Sequence, residues 1–140
     1  MNNTFRTLIA FTALFSSSVM AELAVIVDPS VKLDTITAEQ LQRLYLHKAE
    51  RYPNGVELRP IDQKSGSKRQ REFADKVLGK SPTELSKYWS RRMFSGKGHP
   101  PRQYGGDAEV IQEVTATPGT IGYVDIEAVD DSVKVLLQVP

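Results

Sequence analysis

Hydrophobic positions along this chain follow two rhythms, and each predicts a different element. Leu23 to Val27 is a continuous apolar run bounded by Asp28-Pro29 and reads as a buried strand. Val56 to Ile61 alternates weakly and predicts a second strand; Ile121 to Val124 and Val133 to Val139 predict a third and a fourth. Between them the spacing changes to that of a helix. Thr37 opens a capping box with Gln40, and Leu41, Leu44 and Tyr45 follow on one face. Phe73, Ala74, Val77 and Leu78 form a stripe after Ser65, with Gly79 suited to the helix end. Ser81, Pro82 and Glu84 mark a third helix start, and Leu85, Trp89 and Met93 recur at four-residue steps. Trp89 lies on that stripe and reads as core. Asp107 caps a short helix that turns Val110, Ile111 and Val114 inward.

The breakers fall between these segments. Tyr52-Pro53-Asn54-Gly55 and Thr117-Pro118-Gly119-Thr120 are turns, and Ser95 to Gly106, rich in Gly and Pro, is a loop carrying Lys97, His99 and Arg102. Strands interleaved with helices predict an α/β fold, a mainly parallel sheet flanked by helices. Ligands on such sheets bind outside the carboxyl ends of the strands. The turn at Ser65 is placed at one such end, and Asp28-Pro29-Ser30 at another.

The chain has 140 residues and a formal charge of +1. Residues 1 to 21 read as a signal peptide: Arg6 is their only charge, Leu8 to Phe15 is apolar, and Val19-Met20-Ala21 fits a cleavage site. The apolar run is too short for a membrane-spanning helix, so no membrane insertion is expected after cleavage. Removing these residues takes away one Arg and no acid, which brings +1 to 0. That balance argues against a nucleic-acid or membrane-surface binder. Cysteine is absent, so neither a disulfide nor a lipoprotein anchor can form. The periplasm is the expected compartment. Residues 22 to 140 suffice for one core, not for two lobes with a cleft.

Candidate chemistry concentrates in Asp62 to Phe73. Small residues Ser65, Gly66 and Ser67 at a helix start offer N–H and hydroxyl donors to an oxyanion, and Lys64, Lys68, Arg69 and Arg71 add positive charge. The plainer reading is a surface helix capped by Ser65. Other chemistries fail on spacing. His47 and His99 stand apart, without cysteine, and do not make a metal site. Gly79-Lys80-Ser81 lacks the first glycine of a P-loop, and a helix precedes it. No Gly-x-Ser-x-Gly elbow is present. Asp107, Asp125, Asp130 and Asp131 read as caps and turn residues. Nothing in the sequence demands an enzyme or a cofactor.

Several stretches together resemble the phosphate-type periplasmic substrate-binding proteins of ABC importers. They are Leu41 to Lys48, Tyr52-Pro53-Asn54-Gly55, Asp62 to Ser67, Tyr88-Trp89, Phe94 to Gly98 with Pro100-Pro101, and Thr117 to Val124. The chain looks like a short, single-lobe branch with a type II periplasmic-binding-protein-like fold. The resemblance implies that Ser65, Gly66 and Ser67 hold phosphate or a similar oxyanion; Lys64 and Arg69, by their charge beside the turn, and Ser30, by its place at the end of the first strand, are the further candidate ligand contacts. Asp62 resembles the acid that precedes the family's turn, and Arg59 is offset by one residue from its arginine. The partners implied are an ABC permease, a sensor protein or a second copy. The alternative is a periplasmic interaction or sensory module that keeps the lobe without a small ligand. Protein recovered from the periplasm is expected to begin at Glu22 by N-terminal sequencing; full-length chain retained in the cytoplasm would refute export.

Overall fold

The structure, a computed structural model, describes residues 22–49 and 52–140, so the segment read as a signal peptide lies outside the described residues. A five-stranded sheet forms from β1 (Leu23–Val27), β2 (Arg59–Gln63), β3 (Arg102–Tyr104), β4 (Thr120–Asp125) and β5 (Lys134–Val139). Their spatial order is β3-β2-β4-β1-β5. β2 runs parallel to β3 and β4, whereas β1 runs antiparallel to both β4 and β5. Four strands therefore share one direction and β1 alone opposes them. The helices are α1 (Ala38–Tyr45), α2 (Lys68–Phe73, continued by a π-helical turn over Ala74–Leu78), α3 (Pro82–Phe94) and α4 (Asp107–Ala116).

The two faces of the sheet are covered unequally. Leu23, Val25, Val27, Ile121 and Tyr123 point to the face covered by α1, α2 and α3, where Leu41, Phe73, Leu85 and Trp89 pack. Alternation along the strands sends Ala24, Ile26 and Val124 the other way, onto α4 with Val110 and Val114. Gly122 permits this second contact. A Cβ there would stand 2.7 Å from Val110 Cγ1 and 3.2 Å from Ile61 Cγ1.

Most predicted elements are present, with shifts that have local causes. The Thr37 capping box forms as read, and Gly79 ends the second helix at φ 62°. β2 begins three residues later than Val56 and continues through Asp62 and Gln63. Both polar side chains are buried, and they are hydrogen-bonded there. The cap of α2 is Ser67, not Ser65: its Oγ accepts from Gln70 N at 3.2 Å. Ser67 N donates to Lys64 O at 3.0 Å, so Ser65 and Gly66 are the centre of a tight turn, with Gly66 at φ 83°. α4 starts one residue earlier in role: Gly106 takes the cap position and Asp107 is the first helical residue. Met93 is exposed rather than inward, because four-residue steps drift off the buried stripe by the third repeat. β3 lies inside the stretch read as a loop and is held by its pairing with β2.

Gly122→Ala is expected to push Val110 and Ile61 apart and to cost about 1–3 kcal/mol of stability. The check is the midpoint of urea unfolding; an unchanged midpoint would mean that α4 packs more loosely than the distances imply.

Candidate functional site

The backbone ladder between β2 and β4 is short, pairing Arg59 with Thr120 and Pro60 with Ile121. Pro60 has no N–H to continue it. Beyond that point side chains bridge the two strands. The Tyr45 hydroxyl, fully enclosed, lies 2.6 Å from Ile61 O and 3.2 Å from Ile121 O and offers its one proton between them. Gln63 Nε2 donates to Tyr123 O at 2.9 Å and to Asp107 Oδ1 at 2.7 Å, tying both strands to the start of α4. The Tyr123 hydroxyl donates to Asp62 Oδ1, which also accepts from Gln63 N at 2.8 Å. Phe73 stacks on Tyr123 with ring centroids 3.9 Å apart, and this fixes the hydroxyl's direction.

Burial raises the Asp62 carboxyl from its usual 3.8 to about 6, against the opposing hydrogen bonds from Tyr123 and Gln63 N. Burial and the nearby Asp62 push the Tyr123 phenol well up, and Tyr45 shifts the same way for the same reasons. Both tyrosines therefore stay protonated and act as donors.

The Ser65 turn follows directly, at the carboxyl end of β2. Its donors already have acceptors. Ser65 N donates to Gln103 Oε1 at 3.1 Å, and Gly66 N to Gln70 Oε1 at 3.4 Å. Both acceptors are neutral side-chain amides, and Gln103 is exposed. Of the cations named from the sequence, Lys64 is exposed beside the turn. Arg69 is held by Asp125 and by Glu72 at 3.1 Å. Lys68 stands 3.9 Å from Glu72.

The structure does not bring Ser30 to this place. It follows β1, which runs opposite to β2, so Ser30 emerges at the other end of the sheet. There its N–H and hydroxyl both bond Asp28 Oδ1, at 2.9 and 2.6 Å, and hold the Asp28 carboxyl below its usual range. Arg59 is at the start of β2, bonded to Glu113 at 2.8 Å and Thr120 Oγ1 at 2.9 Å. Lys97 and His99 precede β3, whose amino end lies away from the turn. Sequence reasoning missed Gln70, Gln103 and the Gln63–Asp107 bridge. Gln70 had a signal, its four-residue step from Gly66; Gln103, which comes from another strand, had none.

Among the described residues no group of three or more His, Cys, Asp or Glu could hold a metal ion, and no helix is long and apolar enough to cross a membrane. Asp62→Asn keeps an oxygen acceptor but cannot ionise. In the native protein burial favours the protonated carboxyl over the charged one. Stability is therefore fully present below pH ~4 and falls as pH rises through about 6. The raised value corresponds to about 3 kcal/mol at most. Asp62→Asn is expected to flatten this part of the pH–stability curve measured by urea unfolding; an identical slope would place the titration elsewhere.

No family model matches the chain, and no curated protein matches it significantly. Solved structures do. An ABC-type phosphate transport receptor from Vibrio cholerae superposes with a TM-score of 0.64 at 17% identity, over 83% of this chain and 45% of that one. A chain from Clostridium perfringens, assigned to phosphate ABC import and solved with bound phosphate, gives 0.64 at 19% identity over 83% and 44%. PstS from Borrelia burgdorferi gives 0.62 at 18% over 83% and 46%. The chain spans under half the length of each of these proteins. It has the α/β fold of the phosphate-type substrate-binding proteins of ABC importers, over a single lobe.

Proposed function

We propose that the protein is an exported, periplasmic binding lobe for phosphate or a similar oxyanion, linked to ABC-type phosphate uptake or sensing, and not an enzyme. The observation that carries this reading is the state of the Ser65-Gly66 donors. Two adjacent N–H groups, at the carboxyl end of a parallel strand, are bonded only to side-chain amide oxygens. A phosphate oxygen carries charge and makes a stronger bond to an N–H than a neutral amide does. Gln103, which is exposed, is thus a displaceable acceptor in an oxyanion's place; Gln70 is buried and holds Gly66 N only at 3.4 Å, and Lys64 stands by to pair with the ligand. The solved proteins of this fold named above include one with phosphate bound, which supports the same ligand class.

One specific observation favours a second reading, an interaction or sensory module. Arg69, one of the cations named beside the turn from the sequence, is pinned by Asp125 and Glu72. A lobe that has given up its ligand would look the same.

Calorimetric titration with phosphate separates the two. A single open lobe offers two or three charge-assisted bonds at roughly 1.5–3 kcal/mol each, less ordering costs. A dissociation constant of roughly 10 μM to 1 mM is expected. Gln103→Ala should tighten binding by freeing Ser65 N. Gly66→Val should weaken it, because φ 83° strains a branched residue even though a Cβ there meets nothing within 4 Å. No heat at ~10 mM phosphate, corresponding to less than about 2.7 kcal/mol, would leave the module reading in its place.

A further inference from the structure

Charge is segregated along this chain in a way that the near-zero total conceals. From Leu85 to Gly106 there are five Lys and Arg and no acid; from Asp107 to Val133 there are seven Asp and Glu and no Lys or Arg. The fold sends the helices of these stretches to opposite faces of the sheet. α3 covers one face through Leu85 and Trp89, and α4 covers the other through Val110 and Val114.

Each stretch also carries apolar surface that the fold leaves uncovered. Phe94 is 97% exposed and Met93 44%, at the end of α3. Lys87, Arg91 and Phe94 recur at the spacing of one outer helix face, and Lys97 follows in the loop. All three cations are exposed, and none makes an ion pair among the described residues. On the α4 side, a single helix covers the core. Ile126, Ala128, Val129 and Val135 remain half-buried, beside exposed Glu127 and Asp131. Lys134, the nearest cation in sequence, does not neutralise these acids. Its Nζ donates to Val31 O at 2.6 Å and stands 3.4 Å from Asp34.

We infer that these two surfaces are partners, so that one copy of the chain docks its Phe94 knob on the Ile126–Val129 patch of the next. An aromatic ring ringed by cations meets an apolar patch ringed by acids, and both halves of the match are present in one sequence. The contact joins two different surfaces, so it is head-to-tail and not two-fold. Its attraction is electrostatic at the rim and depends on salt. This docking does not rest on the anion reading of the Ser65 turn.

Sedimentation velocity over a concentration series tests it. Screening falls from a Debye length of about 30 Å at 0.01 M salt to about 3 Å at 1 M. Association is expected at the first and at least a tenfold weaker association at the second. Phe94→Ser should reduce it, with circular dichroism unchanged because the ring touches no core residue. Arg91→Glu with Lys97→Glu, and separately Glu127→Lys with Asp131→Lys, should each give monomers. Mixing the two charge-reversed variants should restore association, with the two variants alternating along the head-to-tail assembly because each surface of one is complementary to a surface of the other. Monomers at every concentration in low salt would overturn the proposal. So would association that survives either double reversal. Monomeric protein that instead binds phosphatidylglycerol vesicles, or an acidic protein through Phe94, would overturn it in favour of that other occupant.

Discussion

The sheet depends on what happens after Pro60. A proline at that point stops the β2–β4 ladder after two residue pairs, in the middle of the sheet where unpaired backbone groups are costly. Three side chains restore the connection. Tyr45 from α1 reaches the Ile61 and Ile121 carbonyls, Gln63 reaches the Tyr123 carbonyl, and Tyr123 reaches Asp62. The aromatic cluster of Tyr45, Phe73 and Tyr123 is therefore more than apolar filling. Its rings occupy the core while its hydroxyls serve the strands on either side. A buried carboxyl is the cost of this solution, and it survives by remaining largely protonated in mildly acid conditions.

The same discontinuity sets up the candidate site. Where a continuous ladder would have kept β2 straight and paired, the chain instead leaves the sheet at Lys64 through a glycine turn. The turn is steadied from two directions, by Gln103 of the neighbouring edge strand and by Gln70 of the helix it starts. Those contacts give the turn a defined geometry without burying it. The two acceptors differ in freedom: Gln103 is exposed and can turn from Ser65 N without backbone movement, whereas Gln70 is buried. The direction of β1 then limits what can join in: anything following that strand, Ser30 included, is carried to the far end of the sheet.

Fold class was legible because periodicity and caps are local properties. Thr37 with Gln40, Ser81 with Pro82, and Gly79 each act within one turn of chain, and each stands where its residue type predicts. The strand Leu23–Val27 was equally plain, being apolar on both faces. What was not legible depended on distant residues. Asp62 and Gln63 read as the end of a strand because their partners, Tyr123 and Asp107, are more than forty residues away. The cap moved from Ser65 to Ser67 because the Gly66 turn absorbed two residues, a choice made by closure and not by propensity. β3 could not be seen at all: three residues in a Gly- and Pro-rich stretch become a strand only because β2 has an open edge.

The docking surface and the anion turn, argued from separate observations, meet geometrically at one end of the sheet. β2 and β4 are parallel, so the segment after β4 and the turn after β2 emerge on the same side, and the Arg69–Asp125 pair links them. The proposed Phe94 patch begins one residue beyond Asp125. A second copy seated there brings Arg91 and Lys97 to the end of the sheet that carries the Ser65 turn. Head-to-tail contact places new cations and new apolar cover near that open turn, without any change to the turn itself. The proposed contact and the proposed anion turn would thus be coupled through one surface, because screening the contact also removes the added cover.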